Sequence, residues 1–338
     1  MKAIGYIESL PIAHERSLFE LELPRPTCGP RDLLVRIEAV SVNPLDAVER
    51  KRRAGAPGQP LVLGWDAAGV VEEVGAEVRQ FRPGDAVYYS GALNRLGSNA
   101  EYGVVDERIA ALKPRSLSFL QAAALPLTAI TAWEALFDRL GISPKGDHAG
   151  RSVLIIGGAG GVGSIGIQLA KVLAGLTVIA TASRPESQEW CRRLGADHTV
   201  DHRGDLPAQL KALGFAEVDY ILCFNDIDGH FPAMAELVAP QGKICTIVAN
   251  TRPLPVELLK NKSATFVWEF MFTRAMYSTP DMVAQHRLLN EVTRLVDAGR
   301  LQTTLGENLG RINAENLRRA HAMLEGGRTI GKLVLEGF

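Results

Sequence analysis

Cysteine is scarce in this chain: Cys28, Cys191, Cys223 and Cys245 are the only four, and none forms a C-x-x-C pair. This spacing argues against a disulfide framework and a cysteine-rich zinc knot. Cys223 and Cys245 lie in apolar, strand-like runs and read as small buried side chains. Charge imbalance is also missing. A formal net charge of −1 favours neither nucleic acid nor an anionic membrane surface as partner. The N-terminus, MKAIGYIESL, has no apolar leader segment, and no run reads as approaching the ~18 residues of a membrane span. The predicted address is the cytoplasm. His14, His148, His198, His230, His286 and His321 show no pairing at metal-ligand spacing and read as surface or helix residues.

Hydrophobic residues make up 46% of the chain and charged ones 22%, the balance of a globular protein. At 338 residues it is too long for one ordinary core, which points to two domains.

The chain's organising stretch is VLIIGGAGGVGSIGIQLAK, residues 153–171. Four apolar residues suit a buried parallel strand, and Val162, Ile165, Leu169 and Val172 form the stripe of an amphipathic helix. Between them Gly158, Gly160 and Gly163 have the G-x-G-x-x-G spacing. The first glycine is expected to make the tight turn, the second to admit a pyrophosphate, the third to let helix and strand pack. Gly161 and Val162 lie at the helix N-terminus, whose free N–H groups and dipole attract an anion. Strand, glycine turn and helix together predict a dinucleotide site.

Before residue 120 the chain reads as mostly β. Runs 33–42, 68–75 and 83–91 are short strands set off by Asn43-Pro44, Gly75 and a Pro-Gly-Asp turn, as in a barrel-like domain. Lys51-Arg52-Arg53 and the Gly/Pro-rich 54–60 read as an exposed loop. Residues 121–142 are helical, with Pro126 predicting two helices or a kink. Strand-like 176–183, 198–202, 218–225 and 242–250 then alternate with helical 187–196 and 231–240, the pattern of a doubly wound parallel sheet. Residues 279–301 and 313–324 read as helices, and the closing KLVLEGF as a strand that returns to the first domain. SATFVWEFMFTRAMY, 263–277, is unusually aromatic; it reads as a core strand or, preferably, as an edge strand and substrate-side loop used in dimerisation.

Several of these segments together resemble the medium-chain dehydrogenase/reductase superfamily, in its zinc-independent, quinone-oxidoreductase-like branch. They are NPLDAVER (43–50), LGWDAAGVVEEVG (63–75), FRPGDAVYY (81–89), ALPLTAITAWEALF (124–137), GAGGVGSIGIQLAK (158–171), LGADHTVDH (194–202) and AHAMLEGGRTIGKLVL (320–335). The resemblance implies an α/β chain. A GroES-like catalytic domain would take 1–123 and 307–338, a Rossmann domain 124–306, and the active site would lie in the cleft between them. It also implies a likeness to alcohol dehydrogenases, but zinc-dependent members carry a cysteine where Asn43 stands and His-Glu where Trp65-Asp66 stands. The ALPLT segment has no third ligand, so Asp46 and Asp66 are the only donors left for a metal that needs about three. No metal is expected.

An NAD-specific chain would place a carboxylate at the end of the second Rossmann strand. Here Ser183 and Arg184 stand there, about 20 residues past Gly163, suited to a 2′-phosphate; NADP(H) is the predicted cofactor. By resemblance His202 lies beside the adenosine phosphate, Thr128 on the nicotinamide side, and Phe224, Asn225, Val248 and Asn250 after later strands. Hydride transfer to a quinone, or to an alkene conjugated with a carbonyl, builds charge on an oxygen that donors must stabilise. Asn43 is the first candidate, with Asp46 beside it, Tyr89 as a further donor and Trp65 as an apolar wall; Asn43 also reads as an Asn-Pro turn cap and Tyr88-Tyr89 as a packing pair. A quinone takes its second proton from water, so no dedicated acid is required. The expected protein is thus an NADPH-dependent reductase of quinones or enones and a homodimer. Its rivals are a zinc alcohol dehydrogenase and an NADPH-binding sensor without turnover.

Overall fold

The chain begins with two short antiparallel strands, β1 (Lys2–Tyr6) and β2 (Phe19–Glu22). The eleven-residue β3 (Asp32–Val42) follows, with Leu33, Leu34, Val35 and Val40 in the core. Asn43-Pro44 ends it, and a helix, α1 (Pro44–Arg52), starts immediately. Proline at the first helical position has a suitable φ and no N–H to leave unpaired. Lys51 and Arg52, expected in a loop, form the exposed last turn of α1, where cations suit the helix dipole. Strands β4 (Leu61–Val62), β5 (Asp66–Val74), β6 (Ala86–Ser90), β7 (Tyr102–Asp106) and β8 (Ala110–Leu112) complete this β-rich part.

The chain turns helical at α2 (Phe119–Ala123) and α3 (Pro126–Trp133), which runs on as a π-helical turn over Glu134–Arg139. Pro126 starts the second helix, the split its position predicts. Taken as one piece, Phe119–Arg139 is long and apolar enough to cross a membrane by length and composition, which corrects the reading that no run is. Its most apolar window is 78% buried within the protein, as in a core helix.

Six strands then form one parallel sheet: β9 (Ser152–Ile156), β10 (Thr177–Thr181), β11 (His198–Val200), β12 (Val218–Cys223), β13 (Val238–Thr246) and β14 (Thr265–Trp268). Their spatial order is β11-β10-β9-β12-β13-β14. Helices α4 (Gly161–Val172), α5 (Pro185–Arg193), α6 (Leu206–Ala212) and α7 (Ile227–Leu237) connect the first five strands. Every residue of β9 is buried, which explains its continuous apolar run. β14 lies at the sheet edge with Trp268 and Phe270 exposed, so the aromatic run contributes an edge strand and not a core one.

The chain closes with α8 (Thr273–Tyr277), α9 (Ala284–Asp297), β15 (Leu305–Asn308), α10 (Ala314–Glu325) and β16 (Lys332–Glu336). β16 returns to pair antiparallel with β3, Leu333 opposite Val42, in a sheet ordered β15-β16-β3-β5-β6-β8 with β7 also on β3.

This computed structural model describes all 338 residues and separates into two units, Met1–Leu127 with Phe272–Phe338, and Thr128–Met271. The second border lies at 271/272 where 306/307 was expected, and the first at 127/128 where 123/124 was. The reason is α9, which is fastened to the β-rich unit. Tyr88 Oη donates to Leu289 O at 2.7 Å, and Thr293 Oγ1 to Leu112 O at 2.8 Å. Two histidines expected on the surface or in helices lie in helices, with their rings engaged or buried. His286 Nδ1 sits 2.7 Å from Ala110 O, and His321 is fully buried in α10 with neither ring nitrogen hydrogen-bonded.

Candidate active site

Around the glycine cluster the backbone leaves β9 and enters α4. Gly157 holds a φ of +87°, and its N–H donates to Thr181 Oγ1 at 3.0 Å. The tight turn therefore falls on Gly157 and not on Gly158, which the spacing had suggested. A Cβ on Gly158 would stand 2.8 Å from Ala180 Cβ, so this glycine brings the turn flush against β10. A Cβ on Gly163 would meet Gly157 O at 2.2 Å and Gly158 O at 2.6 Å, so α4 packs on the turn only because no side chain intervenes. At Gly160 the nearest such atom is Gly157 O at 3.4 Å; a side chain would fill the space in front of the helix. Gly160 caps α4 without a side chain, so the N–H groups of Gly161, Val162 and Gly163 lack intrahelical acceptors. They form an anion cradle.

Strand order reverses between β9 and β12, and such switch points hold ligands at the strands' carboxyl ends. The Gly157 turn lies on one side. On the other are Phe224 and Asn225, whose Cβ atoms would each lie 3.5 Å from a Cβ on Gly157. Beyond β10 come Ser183 and Arg184, the latter capping α5 with its N–H donating to Ser187 Oγ at 3.1 Å. Thr181 pairs with Val200, and Ser183 and His202 each follow that last paired position by two residues. Val248 follows β13, its N–H donating to Thr246 Oγ1 at 3.3 Å; Asn250 Nδ2 donates to Arg252 O at 2.9 Å. Thr128 is buried near the start of α3. Sequence reasoning missed Ser164, whose Oγ donates to Gly160 O at 2.7 Å and accepts from Trp190 Nε1 at 2.8 Å, fastening α5 to the glycine turn.

The β-rich unit brings Asn43, Asp46 and Asp66 together around a lysine that sequence reasoning also missed. Lys332 Nζ donates to Asp66 Oδ2 at 3.0 Å, to Val42 O at 3.3 Å and to Asn43 Oδ1. Asn43 Nδ2 donates to Asp66 Oδ2 at 2.9 Å, and the Leu127 N–H to Asp66 Oδ1 at 2.7 Å. Asp46 accepts the backbone N–H groups of Asn43 at 2.7 Å and Gly64 at 2.8 Å. All four side chains are buried. Burial pushes the Asp46 carboxyl up to about 7, against those two N–H groups and the Lys332 charge. The available signal was a lysine leading an otherwise apolar strand, KLVL, since lysine is rarely buried unpaired.

Two further candidates from the sequence, Trp65 and Tyr89, are both buried. Trp65 is buried and meets Phe272 edge-on, ring centroids 5.8 Å apart, so it is a packed wall. Tyr89 is not positioned as a donor. Its hydroxyl would lie 2.5 Å from a Cβ on Gly103, has no hydrogen-bond partner, and is held well above the ordinary tyrosine pKa by burial. The packing-pair reading is the right one for Tyr88-Tyr89.

Family models match both parts of the chain: the alcohol dehydrogenase GroES-like domain over residues 29–115 and a zinc-binding dehydrogenase over 194–335. A "zinc-type alcohol dehydrogenase-like protein" of Staphylococcus aureus (strain Mu50 / ATCC 700699) is 45% identical over 99% of both chains. The chain belongs to the medium-chain dehydrogenase/reductase superfamily, in its quinone-oxidoreductase-like branch. A crystal structure from Rhizobium etli CFN 42, described provisionally as a zinc-dependent alcohol dehydrogenase, is 50% identical, with a TM-score of 0.95 over 100% of this chain and 98% of the other. The quinone oxidoreductase from Coxiella burnetii is 27% identical, with a TM-score of 0.80 over 100% and 99%. The 2-methylene-furan-3-one reductase of Solanum lycopersicum is 31% identical over 90% of this chain and 71% of its own. The protein is an oxidoreductase of this superfamily with a GroES-like and a Rossmann-like part.

Zinc in several of these names calls for a test against the donors. Asn43 and Trp65 stand at two of the places where zinc-dependent members have ligands, and neither is a thiolate, imidazole or carboxylate. Both oxygens of Asp46 and of Asp66 are already engaged by N–H donors or an ammonium. No three His, Cys, Asp or Glu side chains come together in a way that could hold a metal ion. These residues do not fit catalytic zinc. A nicotinamide dinucleotide does fit, because the glycine turn leaves open the space that a Cβ on Gly160 would fill.

Proposed function

We propose that this oxidoreductase uses NADPH, without zinc, to reduce α,β-unsaturated carbonyls or quinones. The Lys332–Asn43–Asp66 network carries this reading, since it puts a fixed organic cation beside the residues that stand in the ligand positions of zinc-dependent members. Arg184 supports NADPH over NADH: a guanidinium after β10 suits a 2′-phosphate, and no carboxylate stands there to bind both ribose hydroxyls. The tomato enone reductase and the Coxiella quinone oxidoreductase support the substrate class.

When bound, the dihydronicotinamide supplies a hydride; the chain orients and polarises. The α4 N-terminus and Gly160 hold the pyrophosphate, while Ser183, Arg184 and His202 meet the adenosine end. Thr128, Phe224, Asn225, Val248 and Asn250 line the way toward the nicotinamide. In the β-rich unit the Lys332 ammonium donates to Asn43 Oδ1 and draws electron density from the amide, which makes its N–H bonds stronger donors. One of these is committed to Asp66; the other has only a long 3.5 Å contact with Ser41 O and is available to a substrate oxygen. Asp46 holds the Asn43 backbone and so positions this amide. Trp65 keeps the surroundings apolar. The exposed Trp268 at the end of the edge strand β14, with exposed Phe270 two residues beyond it, supports a homodimer.

The test is the initial rate of NADPH oxidation with a panel of enals, enones and quinones, repeated with NADH. The reading requires turnover with at least one acceptor class and preference for NADPH. Tight NADPH binding with no turnover on any acceptor would favour a sensor instead.

A further inference from the structure

Beside the carboxyl ends of β11 and β12 lies a cavity of about 360 Å³ in which His202 adjoins residues that the proposed chemistry does not use. His202, Asp205, Asp226 and His230 are among its walls. The two imidazoles meet edge to face, ring centroids 6.3 Å apart, and His202 Nδ1 is buried with no hydrogen-bond partner. An unmatched buried ring nitrogen has a cost unless a ligand completes it, by donating to it or by accepting from its protonated form. Each ring also has a carboxylate close by, Asp201 for His202 and Asp226 for His230. Asp226 is held at a φ of +42°, a strained conformation for a residue with a side chain, and its Oδ1 accepts the Gly229 N–H at 3.0 Å. Asp205 is engaged likewise by the Ala208 N–H at 3.0 Å.

We propose that His202 and His230 act as one unit that takes up a proton when the 2′-phosphate of the nucleotide binds, with His230 as a positioning residue that sets NADPH preference through His202. This rests on the NADPH reading above. His202 and Ser183 each follow by two residues the last paired position of the neighbouring strands, Val200 with Thr181, and both belong to the group expected to meet the 2′-phosphate. Burial holds both histidines below the ordinary imidazole pKa, the other charges around them being Asp201 and Arg203 at His202, and Asp226 and the His202 ring at His230, so that the neutral form is favoured in the free protein. A phosphate dianion raises the proton affinity of a neighbouring imidazole, and the flanking carboxylates stabilise the resulting cation. Binding of NADPH then strengthens as pH falls, while binding of NADH does not.

The experiment is calorimetric titration of the full chain with NADPH, NADH and adenosine 2′,5′-bisphosphate in buffers of different ionisation enthalpy, at pH 6.0 and 8.0. The wild type should take up a proton with both 2′-phosphate ligands and none with NADH. Its NADPH affinity should gain about tenfold over His230→Gln between the two pH values, one pKa unit being a factor of ten. The ionisation of the phosphate itself is common to both proteins and cancels in that ratio. Retained NADH binding shows that the variant is folded, and proton uptake by the wild type needs no variant. A clear NADPH preference with no proton uptake and no effect of His230→Gln would overturn the proposal and leave the NADPH reading standing. Equal affinity for NADPH and NADH, without proton uptake, would sink both.

Discussion

Lys332 Nζ lies 3.0 Å from Asp66 Oδ2, with the two side chains 3% and 0% exposed. Such a pair contributes little net stability by itself, yet removing one partner strands a buried charge. Lys332→Met should therefore cost about 3–5 kcal/mol in urea unfolding at pH 7. The double variant Lys332→Met/Asp66→Asn should recover part of that loss. Strictly additive losses would show that the two residues do not act as a pair.

The glycines of the turn separate packing from binding. Gly163→Ala forces a Cβ within 2.2 Å of backbone oxygen, and neither element can yield cheaply. It should lower stability by more than about 2 kcal/mol. Gly160→Ala has room in the protein and should change stability by less than about 1 kcal/mol, yet weaken dinucleotide binding at least about tenfold because the methyl takes the pyrophosphate's place. Thermal unfolding and a cofactor titration on both variants distinguish these outcomes.

Arg184→Ala should weaken NADPH binding about 10- to 100-fold, the range for a charge-assisted hydrogen bond, and leave NADH within about twofold. Fluorescence titration of each reduced cofactor reads this directly. An equal loss for both would place Arg184 elsewhere than at the 2′-phosphate.

His321 tests acid stability. Burial, together with the charges of Arg50 and Lys51, lowers its pKa to about 3. A histidine that binds its proton more weakly when folded gives stability that is complete above the unfolded pKa, near 6.5, and is lost as pH falls toward 3. His321→Phe should remove that loss, giving about 2 kcal/mol more stability than wild type at pH 5 relative to the difference at pH 7. Parallel pH profiles for the two proteins would refute this.

Much of the Rossmann part was legible because its signals are local. A buried apolar run, a glycine cluster and an amphipathic stripe each report on the element they form, and Pro126 and Gly195 punctuate where the structure does. The spacing alone misassigned the turn to Gly158, because only the backbone shows that Gly157 carries the positive φ. Helix α1 was missed since three basic residues before a Gly/Pro run resemble a loop, although Asn-Pro is also a helix start. The polar network was half visible. Asn43 and Asp46 are near in sequence, but Lys332 arrives from 289 residues away through the pairing of β16 with β3. The two readings of Tyr89, donor or packing pair, could not be separated from the sequence, because a tyrosine in a strand does not reveal whether its side of the sheet is sealed.

The central claim is that reduction needs no zinc, and the most direct measurement is NADPH-dependent turnover by chelator-treated protein whose zinc content has been determined, before and after zinc is added back. The account predicts full turnover of an enone or quinone with far less than one zinc per chain, and no gain on addition. Turnover that is lost with the metal and restored by stoichiometric zinc would contradict it.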